Sequence, residues 1–211
     1  MNSESGAPTH ASTANSGPQD LRPVLSRAFD QAERVIASMP SDQLTRPTPC
    51  TEWDVRALLS HLVMVTRRIA AVGEGRSALE VLPECIPDGE MWEAFHVARE
   101  TADRAWAHDA ALTREVEVPW GRMLGALVLG GYLPEVVAHT WDLWTATDCS
   151  IPLDPALADT AMAVARRAIP AERDRFPFAP VVDVPETADA CSRFAGWMGR
   201  APDWRAAGRH E

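Results

Sequence analysis

Residues 134–144 read PEVVAHTWDLW, and their pattern predicts a helix that is buried around nearly its whole circumference. Glu135, His139 and Asp142 are spaced four and three residues apart. At about 100° per residue they share one narrow face of the helix. A buried carboxylate is costly unless it is paired or binds a metal, so this face predicts a polar cavity inside the protein. The alternative is the solvated face of an ordinary amphipathic helix.

Hydrophobic periodicity and end signals predict three long helices before this one, and therefore an all-α fold of the helical-bundle class. The predicted long helices cover residues 23–39, 51–71, 89–110 and 124–147, and shorter helices are expected near residues 154–168 and 186–199. Between the third and fourth helices, REVEVPWGRM alternates and then turns at Trp120–Gly121, which predicts a short extended excursion. The loop of roughly 14 residues between the second and third helices is long enough for a parallel crossover.

The second predicted helix carries a start signal and another imidazole. Thr51 followed by Asp54 is a variant of the capping box, which places the helix N-terminus at Thr51. His61 lies on the flank of the apolar stripe of this helix, where its ring can face a groove between helices. A lone histidine at such a position is otherwise a hydrogen-bonded core residue.

Together these residues predict a metal centre. Glu135 and His139, four residues apart, match the reach of two ligands from successive turns to one cation. His61 completes a His-Glu-His set suited to Zn²⁺ or another divalent metal. Asp142 is the candidate catalytic residue, because it can orient a metal-bound histidine or accept a proton. His96 is a further ligand candidate with a simpler structural interpretation.

Three weaker candidates lie next to or within the second predicted helix. Cys50 is either a reactive thiol or a small buried residue at a turn. Arg67 and Arg68 either steer an anionic ligand or belong to a solvated helix end.

Composition argues against several classes of partner and location. The net charge of −10 makes a nucleic-acid backbone or an anionic membrane surface an unfavourable partner. No apolar run approaches the roughly 20 residues of a membrane-spanning helix. The four cysteines are far apart and form no C-x-x-C pair, which is typical of reduced cytoplasmic thiols. The Ser-, Thr- and Pro-rich residues 1–18 predict a disordered N-terminal segment.

Two of these stretches resemble a known family. TPCTEWDVRALLSHLV, residues 48–63, is similar to the second-helix motif of the mycothiol-dependent maleylpyruvate isomerase N-terminal domain, in the DinB-like superfamily. PEVVAHTWDLWTATD, residues 134–148, is similar to the fourth-helix signature of that family. Residues 115–123 and 178–204 also resemble the actinobacterial branch.

The resemblance implies an up-down-down-up four-helix bundle and a divalent metal, usually zinc. By this resemblance the metal is held by His61, Glu135 and His139, with Asp142 near it. The family isomerase carries a further C-terminal domain that contributes to its substrate site, and the residues after 150 are fewer than that domain contains. The resemblance also implies mycothiol as the thiol cosubstrate.

We therefore expect a metal-binding four-helix bundle over residues 19–149 and a C-terminal helical extension over residues 150–211 that packs on it. The expected function is a zinc-dependent S-transferase or isomerase, in which a low-molecular-weight thiol attacks a small electrophilic substrate. The alternative is a non-catalytic metal-binding or small-molecule-binding module. A homodimer is left open as the oligomeric state.

Overall fold

The computed structural model describes residues 19–173 and 178–206, and it is predominantly helical, as the sequence predicts. The long helices are α1 (Arg22–Ala37), α2 (Val55–Gly73), α3 (Met91–Ala105) and α5 (Gly125–Ala146); the shorter ones are α4 (Ala110–Thr113), α6 (Pro155–Ala168) and α7 (Ala190–Trp197). The expected disordered segment, residues 1–18, lies outside the described residues. Within the described part, no helix is both long and apolar enough to cross a membrane.

The four long helices form the up-down-down-up bundle. α2 packs against α3 and α5, and α1 packs against the same two helices. The long connection from residue 74 to residue 90 lets α3 run beside α2. Trp106 fixes the end of this pair, because its indole N–H donates a 2.8 Å hydrogen bond to the backbone carbonyl of Ile69. The confirmed all-α fold thus has one core between four helices.

The second helix begins four residues later than the capping-box pattern predicts. α2 starts at Val55, and the Asp54 carboxylate caps it by accepting a 2.8 Å hydrogen bond from the N–H of Ala57. The preceding stretch is held as a turn by the buried Thr48, whose hydroxyl donates to the carbonyl of Trp53 at 2.8 Å. Because Thr48 stabilises this turn, Thr51 does not serve as the cap.

The predicted extended excursion is a β-hairpin immediately before α5. β1 (Glu115–Val118) pairs in antiparallel register with β2 (Gly121–Leu124), and Trp120 lies in the turn between them. α5 then continues through Pro134 without interruption to Ala146. The hairpin thus leads directly into the N-terminal end of α5, the helix that contains residues 134–144.

The residues after α5 pack against the bundle through α6 and α7. α6 lies against α5 and α1, while α7 lies against α6 and α5. The buried guanidinium of Arg173 ties this region together by donating to the backbone carbonyls of Pro170, Ala179 and Trp197. This packing brings the segment that follows α7 to the C-terminal end of α5.

Candidate metal centre

Helices α2 and α5 bring together the three residues that the spacing singled out. Potential ligand atoms of His61, Glu135 and His139 all lie within 4.8 Å of one another. The His61 Nε2 atom is 3.2 Å from Glu135 Oε1, and the two imidazole rings meet edge to face with centroids 4.9 Å apart. Two nitrogens and one carboxylate oxygen therefore converge on a single point between the helices.

Trp53, just before α2, forms an aromatic wall beside this cluster. Its ring centroid is 4.4 Å from that of His61 and 5.9 Å from that of His139. Since Trp53 is half-buried, its indole shields the two imidazoles from water on one side. The wall is placed by the same turn that delays the start of α2.

Asp142 orients His139 from behind. The Nδ1 atom of His139 lies 3.1 Å from Asp142 Oδ2, and an ionised carboxylate only accepts hydrogen bonds. Nδ1 therefore carries the proton, which leaves the Nε2 lone pair of His139 free. Asp142 is fully buried, so this orientation is held inside the protein.

Arg200 supplies the counter-charge of Asp142 from beyond α7. Its Nη2 and Nε atoms donate to Asp142 Oδ2 and Oδ1 at 2.8 and 3.1 Å. Burial alone would raise the pKa of Asp142, but the His139 hydrogen bond and the Arg200 guanidinium hold it below its ordinary value. Both carboxylate oxygens of Asp142 are thus engaged by side chains of the protein.

Gly199 makes the turn that directs Arg200 toward Asp142. Its φ of 81° lies in the left-handed region, and a Cβ there would meet the Cβ of Ala179 at 2.7 Å. Sequence reasoning did not identify Arg200, which is 58 residues from Asp142. The signal that was present is a glycine at the C-terminal end of a predicted helix, followed by an arginine in an otherwise apolar stretch.

A second group of ligand types, Cys50, His139 and Asp142, lies on the far side of His139. The guanidinium of Arg200 occupies both oxygens of Asp142 there, so a cation would face a positive charge. Burial, followed by the charge of Asp142, raises the pKa of the Cys50 thiol, which favours its protonated form. These two facts favour the His61 cluster as the metal centre.

His96 is not brought to the cluster. It lies on α3 with Nδ1 2.5 Å from Glu33 Oε1, and its ring stacks on Trp92 with centroids 5.0 Å apart. Its environment is a charged surface between α1 and α3, which matches the structural interpretation of this residue.

Known families and proteins include relatives of this chain. The family described as mycothiol maleylpyruvate isomerase N-terminal domain matches residues 25–144. The chain belongs to this family. The family match includes His61, Glu135, His139 and Asp142, but it ends before Arg200. The resemblance drawn from the two helical motifs is thereby confirmed.

Relatives of this family member occur in Mycobacterium tuberculosis. Two proteins, from strains CDC 1551 / Oshkosh and ATCC 25618 / H37Rv, are both named as uncharacterized. Each is 32% identical to this chain over 178 residues, which cover 82% of this chain and 94% of the relative. The similarity therefore extends well beyond the family domain. No solved structure matches the chain.

Proposed function

We propose that this protein binds a divalent cation, zinc in the first instance, through His61, Glu135 and His139. We further propose that it uses the centre for S-transfer or isomerisation with a low-molecular-weight thiol. The observation that carries the proposal is the convergence of these three side chains from two helices within 4.8 Å. Membership of a mycothiol-associated family supports a thiol of the mycothiol type as cosubstrate.

The donor set fits a catalytic zinc ion. Two imidazoles and one carboxylate are the ligands of several hydrolytic zinc sites, and a three-residue set leaves one coordination position open. The hydrogen bond from His139 Nδ1 to Asp142 is the outer-shell contact that such histidines usually have. This chain therefore has both the types of side chain that bind zinc in such sites and a carboxylate that orients one of them.

The chemistry divides between the cation and the protein. When bound, the cation would lower the pKa of a thiol at the open position and thereby favour a nucleophilic thiolate at neutral pH. The protein would keep His139 in one tautomer through Asp142, whose charge Arg200 balances. Trp53 would exclude water from one side of the centre, where a small electrophile could meet the sulfur.

Metal analysis tests the first half of the proposal. Purified protein should hold one zinc ion per chain after dialysis, and His139→Ala should lose it. His96→Ala is the matched control, because that histidine lies on α3 away from the cluster, and its zinc content should equal that of the wild type. Asp142→Asn should weaken zinc affinity by about 10- to 100-fold. Equal and negligible zinc in wild type and His139→Ala would contradict the proposal.

Thiol conjugation tests the second half. The zinc-loaded protein should accelerate the reaction of a low-molecular-weight thiol with at least one member of a panel of small electrophiles. Tight zinc binding without acceleration would favour the alternative function, a non-catalytic metal-binding or small-molecule-binding module. One observation favours that alternative: both oxygens of Asp142 are engaged, so this carboxylate is not free for proton transfer.

The same contacts support a proposal about domain organisation. Residues 150–211 would act as an extension that completes the centre of the 19–149 bundle, because Arg200 reaches Asp142 from beyond α7. The extension would then supply one charge to the site, despite being shorter than the C-terminal domain of the family isomerase.

A further inference from the structure

A cavity of about 300 Å³ lies between α1 and α3, whereas the metal cluster lies between α2 and α5. α1 and α3 run antiparallel, since Arg22 at the start of α1 meets Trp106 just after α3, and Glu33 near the end of α1 meets His96. The volume of the cavity is at the lower end of the range for small-molecule sites. The cavity is therefore large enough for a small ligand, at a place separate from the metal cluster.

Contacts on both sides of the cavity hold the two helices together. At one end, Arg22 Nη1 donates a 3.2 Å hydrogen bond to the backbone carbonyl of Trp106. At the other end, Arg99 of α3 forms ion pairs with Asp30 and Glu33 of α1. The cavity lies between these two sets of contacts, so its walls are fixed in the folded protein.

The floor of the cavity is apolar and aromatic. Leu25, Phe29 and Trp106 line it, and all three side chains are buried. The Phe29 ring packs edge to face against Phe95 with centroids 6.3 Å apart, and the Trp106 indole is held by its hydrogen bond to Ile69. A ligand in the cavity would thus meet a rigid apolar surface that includes two aromatic rings.

Two polar side chains that line the cavity have unused hydrogen-bonding capacity. Asp103 forms one long ion pair, 3.5 Å from its Oδ2 atom to Arg99 Nε, and its other oxygen has no hydrogen-bond partner in the part of the chain that the structure describes. The hydroxyl of Ser26 likewise forms no hydrogen bond within residues 19–173 and 178–206. Arg22, in contrast, is fully engaged by Asp20, Asp109 and the Trp106 carbonyl. The free acceptor in the cavity is therefore the carboxylate of Asp103.

The surroundings of the cavity have an excess of negative charge. Carboxylates at the cavity and in the ion pairs beside it outnumber guanidinium groups: they are Asp20, Asp30, Glu33, Asp103 and Asp109, against Arg22 and Arg99. Burial raises the pKa of Asp103 above its ordinary value, and the charge of Arg99 offsets only part of this effect. A cation beside Asp103 would stabilise its ionised form, whereas an anion would be repelled.

We propose that this cavity binds a small organic cation, an ammonium ion that carries an apolar group of about the size of a benzene ring. The ammonium group would donate hydrogen bonds to the Asp103 carboxylate and to the Ser26 hydroxyl. The apolar group would contact the floor, where the two aromatic rings also favour a nearby positive charge. Since no residue of this cavity is a proposed metal ligand, the site would bind its ligand with or without zinc.

Three probes that share one ring and differ in charge test the proposal. Benzylamine is a cation at neutral pH, benzyl alcohol is neutral and benzoate is an anion. Calorimetry on the full chain, in phosphate buffer because amine buffers would compete, should show benzylamine binding about 10-fold more tightly than benzyl alcohol and benzoate binding most weakly. Equal affinities for the three probes, tighter binding of benzoate, or no binding of benzylamine would overturn the proposal.

Asp103→Asn tests the residue that would recognise the charge. The variant keeps the size of the side chain and should remove the preference for benzylamine over benzyl alcohol. Glu93→Gln is the matched control, because it removes one negative charge from an exposed position of the same helix outside the cavity, and it should leave the preference unchanged. Equal losses in both variants would show that only the net charge of the protein matters and would overturn the assignment of Asp103.

Ser26→Leu tests the location of the site. Ser26 is half-buried at the cavity and makes no hydrogen bond there, so the larger leucine side chain should fill the space and lower the affinity for both benzylamine and benzyl alcohol. The unfolding temperature should stay equal or rise, because leucine favours a helix and fills a cavity. Unchanged benzylamine binding in the folded variant would place the ligand elsewhere and overturn the proposal. Asp103→Asn changes almost no volume, so the charge preference stays testable even if Ser26→Leu does not fold.

Discussion

Replacing Arg200 by leucine should destabilise the protein strongly, although the residue lies beyond the last helix. Two hydrogen bonds, of 2.8 and 3.1 Å, would be lost from a carboxylate that is fully buried. Removing one partner of a buried ion pair typically costs about 3–5 kcal/mol, because the other charge remains without compensation. For a chain of this size we expect the unfolding temperature to fall by about 10 °C.

Urea unfolding of metal-free protein is the assay, since bound zinc would add its own stabilisation. Arg205→Leu is the control, because Arg205 is exposed on the same segment, and its free energy of unfolding should change by less than about 0.5 kcal/mol. The double variant Asp142→Leu with Arg200→Leu should recover much of the loss, since no buried charge then remains. A loss below about 1 kcal/mol for Arg200→Leu would refute the assignment of a strongly coupled buried pair.

Three further changes probe other parts of the structure. Asp154→Ala should remove the cap of α6 and cost about 1 kcal/mol in urea unfolding. Burial opposes ionisation of Asp154, but Arg27 and the cap N–H groups lower its pKa. The stability difference between wild type and this variant should therefore be complete above about pH 4 and fall at lower pH. A difference that stays constant down to pH 2 would contradict this assignment. Gly199→Ala should lower both the unfolding temperature and zinc affinity, because the left-handed backbone and the contact with Ala179 leave no room for a Cβ; unchanged values for both would contradict the proposed turn. Thr48→Val should lower the free energy of unfolding by about 1–2 kcal/mol and weaken zinc binding, because Trp53 would move. A zinc affinity equal to that of the wild type would show that this turn does not influence the metal centre.

The sequence was sufficient to predict the bundle and the shared face of its decisive helix. The helical period alone places Glu135, His139 and Asp142 together, since local spacing determines which residues share a face. The structure then shows Asp142 behind His139 rather than beside it at the cluster. That distinction depends on the side-chain direction and on Arg200, and neither follows from spacing along one helix.

Individual side-chain contacts were the part of the structure that the sequence could not predict. The capping-box pattern at Thr51 is present in the sequence, but the hydroxyl of Thr48 stabilises a turn at these residues instead, so α2 starts at Val55. Tyr132 reads as one more apolar residue of a buried helix, and only the packed structure shows that its hydroxyl has no hydrogen-bond partner among the residues that the structure describes. The spacing of residues identifies which side chains share a face of a helix, whereas the partners of those side chains can be identified only from the three-dimensional structure.

The bond between Arg200 and Asp142 also bears on the order in which the protein matures during synthesis. A growing chain that has emerged only as far as α5 already carries all three proposed ligands, but its Asp142 still lacks a cationic partner. The carboxylate that orients His139 would gain its counter-charge only after residue 200 had been added. Chains that end before residue 200, through incomplete synthesis or through proteolysis after α6, would therefore have a lower affinity for the proposed zinc ion than chains that include this residue.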